Sequence, residues 1–109
     1  MTSSYLRYLL MPLCLATSLA TAAPAVELTG ARLSKARNCF SCHLSNQKIL
    51  GPSYADIAKR YAGVPGAAQI LSSTIRQGGV QNWSEVPMPA NPQVSKEEAL
   101  LLATWILAH

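Results

Sequence analysis

Five residues constrain this chain more than any others: Cys39-Phe40-Ser41-Cys42-His43. Two thiols separated by two residues can reach the same edge of a ligand from a single turn of chain, and the histidine follows at once. The run suits covalent attachment of a haem. The thiols add to the two vinyl groups on one porphyrin edge, and the imidazole is held beneath the iron with Nε2 as a ligand. Two other chemistries share the cysteines. A thioredoxin-like redox pair sits beside a βαβ pattern, and no strand pattern is visible here. A structural zinc site needs four ligands, which the rest of the chain does not readily supply.

The ligand inventory depends on the N-terminal stretch. Arg7 is the one charge before Glu27, an apolar run extends from Leu9 to Ala20, and small residues follow at Thr21, Ala22 and Ala23. This is the layout of a secretory signal peptide. Ala20-Thr21-Ala22 places the cut after Ala22, and Ala23-Pro24-Ala25 offers a second position after Ala25. The apolar run is short of the roughly 20 residues a membrane-spanning helix needs, which argues against an uncleaved anchor. Lipid attachment at Cys14 would want a small residue before it, and Leu13 stands there. Residues 1–22 are therefore expected to be a leader and residues 23–109 the functional domain, exported to an oxidising compartment.

Beyond residue 22 the chain keeps two cysteines (Cys39, Cys42), one methionine (Met88) and two histidines (His43, His109). His109 is the last residue and is expected to fray. Nine Lys and Arg, one of them Arg7, stand against five Asp and Glu. That mild basic excess, with no dense basic run, excludes a nucleic-acid binder. A domain this small is marginal as a free-standing core, and a large apolar cofactor would complete it.

Helix signals punctuate the domain, and the expected fold class is all-α. A first helix is expected over 29–38, with Leu33 and Ala36 on its buried stripe. Ser53 is positioned to cap a second helix running to Tyr61, burying Ile57 and Tyr61. A third is expected over 67–77, with Ile70, Leu71 and Ile75 on one face and Gly78-Gly79 as its stop. Ser95-Lys96-Glu97-Glu98 has the form of a capping box for a last helix that pairs Leu101 with Trp105 and Leu102 with Ile106. Between the last two helices, Pro87, Pro89 and Pro92 exclude a helix interior or a central strand, so the segment is a stiff loop.

Met88 lies in that loop between two prolines. Methionine most often fills cores. With a haem implied, a lone thioether on a Pro-stiffened backbone is the natural second axial ligand, and a soft sulfur ligand raises the reduction potential.

Taken together, Cys39–His43, Leu50-Gly51-Pro52-Ser53-Tyr54, Ile75-Arg76-Gln77-Gly78, Trp83, Pro87-Met88-Pro89-Ala90-Asn91 and the closing Ala103-Thr104-Trp105-Ile106-Leu107 resemble the short bacterial class I cytochromes c. The resemblance covers essentially all of 23–109. It implies about four helices around one covalent haem c. It also implies that the Pro52 carbonyl accepts from the proximal His43, that Asn91 bonds near the Met88 sulfur, and that Trp83 lies near a haem propionate. Arg37 stands where the family often has a lysine over the haem edge. Three features depart from the family pattern: Ser34 and Thr74 stand where an aromatic and an arginine are common, and the stretch Trp83-Ser84-Glu85-Val86 lacks the Gly-Pro common after the tryptophan. These departures bear on the cofactor's surroundings and leave the ligands untouched.

The function expected from this resemblance is electron transfer, not enzymatic catalysis. The carrier would be a monomer that meets redox proteins transiently and has no stable membrane insertion. A dedicated haem subunit of a periplasmic oxidoreductase is the alternative. A haem sensor or peroxidase-like protein would need an open sixth iron site, against which Met88 argues.

Overall fold

Serine caps start two of the helices. Ser95 Oγ accepts from the Glu98 amide at 3.1 Å, and the Glu98 carboxylate accepts from the Ser95 amide at 3.1 Å, completing the capping box. Ser53 Oγ accepts from the Asp56 amide at 3.1 Å. The computed structural model describes residues 23–81, 83 and 85–109, so the expected leader over 1–22 lies outside the described residues. The helices are α1 (Ala23–Ala36), α2 (Tyr54–Tyr61), α3 (Ala67–Gln77) and α4 (Lys96–Leu107), with a 3₁₀ turn at Cys39–Ser41. Among the described residues the only β pairing is two isolated bridges, His43 with Lys48 and Gly79 with Met88. The all-α expectation holds, and α4 packs against α1, α2 and α3.

α1 differs from the sequence expectation at both ends and on its buried face. It begins at Ala23 and stops at Ala36. It stops there because Asn38 turns left-handed, at φ 62° and ψ 26°, a conformation that asparagine tolerates better than most residues. The face turned inward carries Gly30 and Ser34; of the expected stripe, Leu33 is half-buried against the core and Ala36 is exposed. Gly30 lets α4 come close, and Ser34, one helical turn on, bonds to Tyr54 of α2. A Cβ added at Gly30 would lie 2.6 Å from Trp105 Cδ1. Trp105 cannot swing clear, because its ring meets Tyr54 at 4.9 Å, Phe40 at 6.3 Å and His109 at 4.6 Å between centroids. Gly30→Val should therefore lower stability by about 1–3 kcal/mol, the cost of overpacking a tight core. The measurement is the guanidinium midpoint at constant m-value, and an unchanged midpoint would refute the close approach.

The core is the buried set from α2, α3 and α4, including Tyr54, Ile57, Leu71, Ile75, Leu102 and Ile106. On α3 the expected face is two-thirds right, because Ile70 points outward at 42% exposure. Tyr61 is half-buried. A partly exposed ion pair ties the residue just after α1 to the first turn of α4. Arg37 Nη2 donates to Glu98 Oε1 at 2.6 Å. That guanidinium, helped by the Ser95 amide, holds the Glu98 carboxyl below its usual range. Arg37 is thus an anchor between helices. His109 is also not frayed, since its Nδ1–H donates to the Trp105 carbonyl at 3.1 Å and its ring packs edge-on to Trp105.

Candidate functional site

The Cys39–His43 run forms one tight turn. The Ser41 amide donates to Asn38 O at 3.2 Å, and the Cys42 and His43 amides both donate to Cys39 O, at 3.1 and 3.0 Å. Cys39 and Cys42 are unpaired thiols. Both face the same cavity. Burial pushes the Cys39 thiol up, against a hydrogen bond with Ser34 that acts the other way.

His43 is fixed by its neighbours. Its Nδ1 is 2.7 Å from the Pro52 carbonyl oxygen. A carbonyl can only accept, so the proton sits on Nδ1 and the lone pair is left on Nε2, the tautomer a metal ligand requires. The imidazole stacks on Tyr54 at 5.7 Å and 21°. It also lies against Gly51, where an added Cβ would fall 2.6 Å from His43 Cε1. The Gly51-Pro52 pair therefore does two jobs: glycine makes room for the ring, and proline's carbonyl orients it. Tyr54 is itself held by a buried bond, its hydroxyl 2.7 Å from Ser34 Oγ. Burial pushes the Tyr54 hydroxyl up to about 12, so it stays protonated across the physiological range.

Met88 reaches the same cavity from the loop after α3. Its backbone pairs with Gly79, with the Met88 amide donating to Gly79 O at 2.8 Å and the Gly79 amide to Met88 O at 2.9 Å. Three residues on, the Asn91 amide donates to Arg76 O at 3.1 Å. The Asn91 side-chain amide donates to Ile75 O at 3.0 Å and Pro89 O at 3.2 Å. Asn91 is the one expected site residue that does not line the cavity, and both protons of its amide go to these carbonyls.

The cavity opens to solvent on one side. Cys39, Cys42, His43, Pro52, Trp83 and Met88 all line it. Most of the remaining lining is apolar and includes the inner faces of Ile57, Leu71, Ile75, Leu102 and Ile106. Ser34 and Thr74, two of the departures from the family pattern, also line it. A neighbour that the sequence reading missed is Arg60, whose guanidinium carbon lies 4.3 Å from the centroid of the Trp83 ring. At that distance a cation is attracted to the ring face. The only sequence signal for this contact would have been a cation at the end of α2, and three-dimensional packing alone chooses its partner.

The donor set fits a haem. Two thiols lie on one turn, an imidazole presents a Nε2 lone pair, a thioether comes from a separate loop, and the walls between them are apolar. Among the described residues no group of three or more His, Cys, Asp or Glu could hold a bare metal ion.

Comparison with known proteins agrees. The sequence profile of the family described as cytochrome c matches residues 28–109. Cytochrome c-551 of Azotobacter vinelandii is 44% identical over 81 residues, which span 74% of this chain and 98% of that protein. Cytochrome c-552 of Hydrogenobacter thermophilus is 43% identical over 84 residues, spanning 76% of this chain and 84% of that protein. The crystal structure of Nitrosomonas europaea cytochrome c552 superimposes with a TM-score of 0.70 at 42% identity, covering 72% of this chain and 96% of that one.

Proposed function

The chain belongs to the cytochrome c family, and on that premise we propose that it is an exported carrier of single electrons, with His43 and Met88 as the axial ligands of a haem c attached at Cys39 and Cys42. A bound haem iron supplies a one-electron Fe(III)/Fe(II) couple; the rest is the work of the chain. The observation that carries the reading is that His43 and Met88, 45 residues apart, line one apolar cavity together with both thiols.

Each residue has a definite task. The Cys39 and Cys42 thiols fix the cofactor at one edge. Pro52 holds the His43 proton on Nδ1, so that Nε2 remains a ligand in either oxidation state. Met88 would supply the second ligand to a bound haem iron, which would leave no place there for a substrate. The apolar walls exclude water, so little solvent has to reorganise when charge moves. At the mouth, Leu50, Val80 and Val86 are exposed, at 58%, 48% and 56%. They offer a small apolar surface for brief encounters with redox proteins, whose interfaces lie at the low end of the size range. Trp83, held against Arg60, stands where a propionate would meet a cation and an indole N–H.

Export rests on residues 1–22 as a cleaved leader and on an oxidising compartment for the thiol chemistry. No helix among the described residues is long and apolar enough to cross a membrane. The periplasm is the compartment this implies, with the carrier a diffusing monomer.

A filled sixth position separates a carrier from a sensor or a peroxidase-like protein. The reduced protein should show no spectral change under carbon monoxide, and an optical redox titration should follow a single one-electron Nernst curve. A rapid shift of the Soret band under carbon monoxide would favour the sensor reading. Elution of the native protein with a large permanent partner on size exclusion would favour the enzyme-subunit reading.

A further inference from the structure

We infer that Gly78 and Gly79 are positioning residues for Met88, a glycine cradle at the end of α3 that sets where the thioether is held. The inference rests on the reading of Met88 as an axial ligand and adds to it the part of the chain that holds the ligand in place.

Two independent features define the cradle. The first is contact. A Cβ added at Gly78 would run into the Met88 carbonyl oxygen and would fall 2.7 Å from the Ala90 nitrogen and 2.8 Å from the Pro89 carbonyl carbon. All three are backbone atoms, which cannot step aside as the end of a flexible side chain can. The methionine segment therefore lies against the bare backbone of Gly78. The second feature is conformation. Gly78 has φ 69° and ψ −163°, a region that is essentially glycine-only. Gly79 has φ 124°, and its amide and carbonyl both pair with Met88.

The same contact completes α3. A helix leaves its last carbonyls without partners inside the helix. Here the Thr74 carbonyl is taken by the Gly78 amide at 2.7 Å. The Ile75 and Arg76 carbonyls are taken by the side-chain and backbone amides of Asn91. Arg76 Nε in turn donates to Val94 O at 3.1 Å, beyond the ligand. The segment carrying Met88 is thus the C-terminal cap of α3, and the thioether is tied to the body of the fold from both sides. Stiff prolines alone would fix the local shape of the segment but not its place.

The test pairs a variant with a measurement on the native protein. In the oxidised holoprotein, Gly78→Ala should reduce the weak near-infrared sulfur-to-iron band several-fold, or lose it at a lower temperature than the native protein. Gly66→Ala, at the other end of α3, should leave it unchanged. Gly66 is also at positive φ, 71°, but has no backbone atom against it. In the unmodified holoprotein, hydrogen exchange at the Gly79 and Met88 amides should be as slow as in α3. A native band in Gly78→Ala would overturn the inference, as would exchange at those two amides as fast as in unstructured peptide. If Gly78→Ala does not fold, the exchange measurement decides alone. If Met88→Ala keeps the band, the ligand reading fails, while amide exchange still reports on the cradle.

Discussion

Replacing Cys39 and Cys42 together with alanine should leave the protein without covalently held haem. After acid–acetone extraction the pyridine haemochrome of the double variant should be absent. Each single variant keeps one thioether and one free vinyl group, which extends the conjugation and moves the haemochrome α band to longer wavelength. The loss should reach beyond the colour. Tyr54, Ile57, Leu71, Ile75, Leu102 and Ile106 belong both to the buried core and to the cavity lining. Whatever fills the cavity is therefore packed as core, and a chain of this size has little other core to fall back on. Circular dichroism of the double variant should show reduced helix content and a broad, weakly cooperative melt. Covalent haem persisting in the double variant would remove the premise of the site.

The second large effect is expected at Met88. Met88→Ala should abolish the near-infrared band of the oxidised protein and open the iron to carbon monoxide in the reduced one. It should also lower the reduction potential, because a soft thioether favours the ferrous state. Axial ligation moves haem potentials over a range of ~0.8 V, so a fall on the order of 0.1 V or more is the expected scale. The fold should survive, since Met88 sits in a loop and its backbone pairing with Gly79 does not use the side chain. A potential and band unchanged in Met88→Ala would reassign the sixth ligand.

Much of this architecture was legible because local chemistry dictated it. Ser53 and Ser95 carry their capping partners three residues downstream, and the structure forms both caps. α3 runs over the expected residues because Gly66 and Gly78-Gly79 bound it. The attachment turn and the Pro-flanked methionine are short-range patterns as well. What sequence reasoning missed was long-range. The inward face of α1 carries Gly30 and Ser34, which have no hydrophobic signal, since small residues mark an interface only once the facing side chain, Trp105, is known. Ile70 fits the stripe of α3 by periodicity but lies at its outer margin. Arg37 finds Glu98 across 61 positions of sequence. Asn91 shows the same dependence, because its amide donates to Ile75 and Pro89 carbonyls, a pairing that depends on where α3 ends.

The contact between Gly30 and Trp105 has a consequence for how the chain reaches this fold. These residues are roughly 75 positions apart, so docking α1 on α4 closes a long loop. A group attached at Cys39 and ligated by Met88 would bridge the middle of that loop. The free chain left to close would then be the nine residues from Gly30 to Cys39 and the 17 from Met88 to Trp105. Because closure entropy grows as the logarithm of length, the shortcut removes only about 1 kcal/mol from the docking cost. Its kinetic effect is more specific. It turns the slowest kind of contact, one between distant segments, into a nearly local one, so formation of the α1–α4 crossing should be timed by capture of Met88 rather than by the diffusive search of the whole chain.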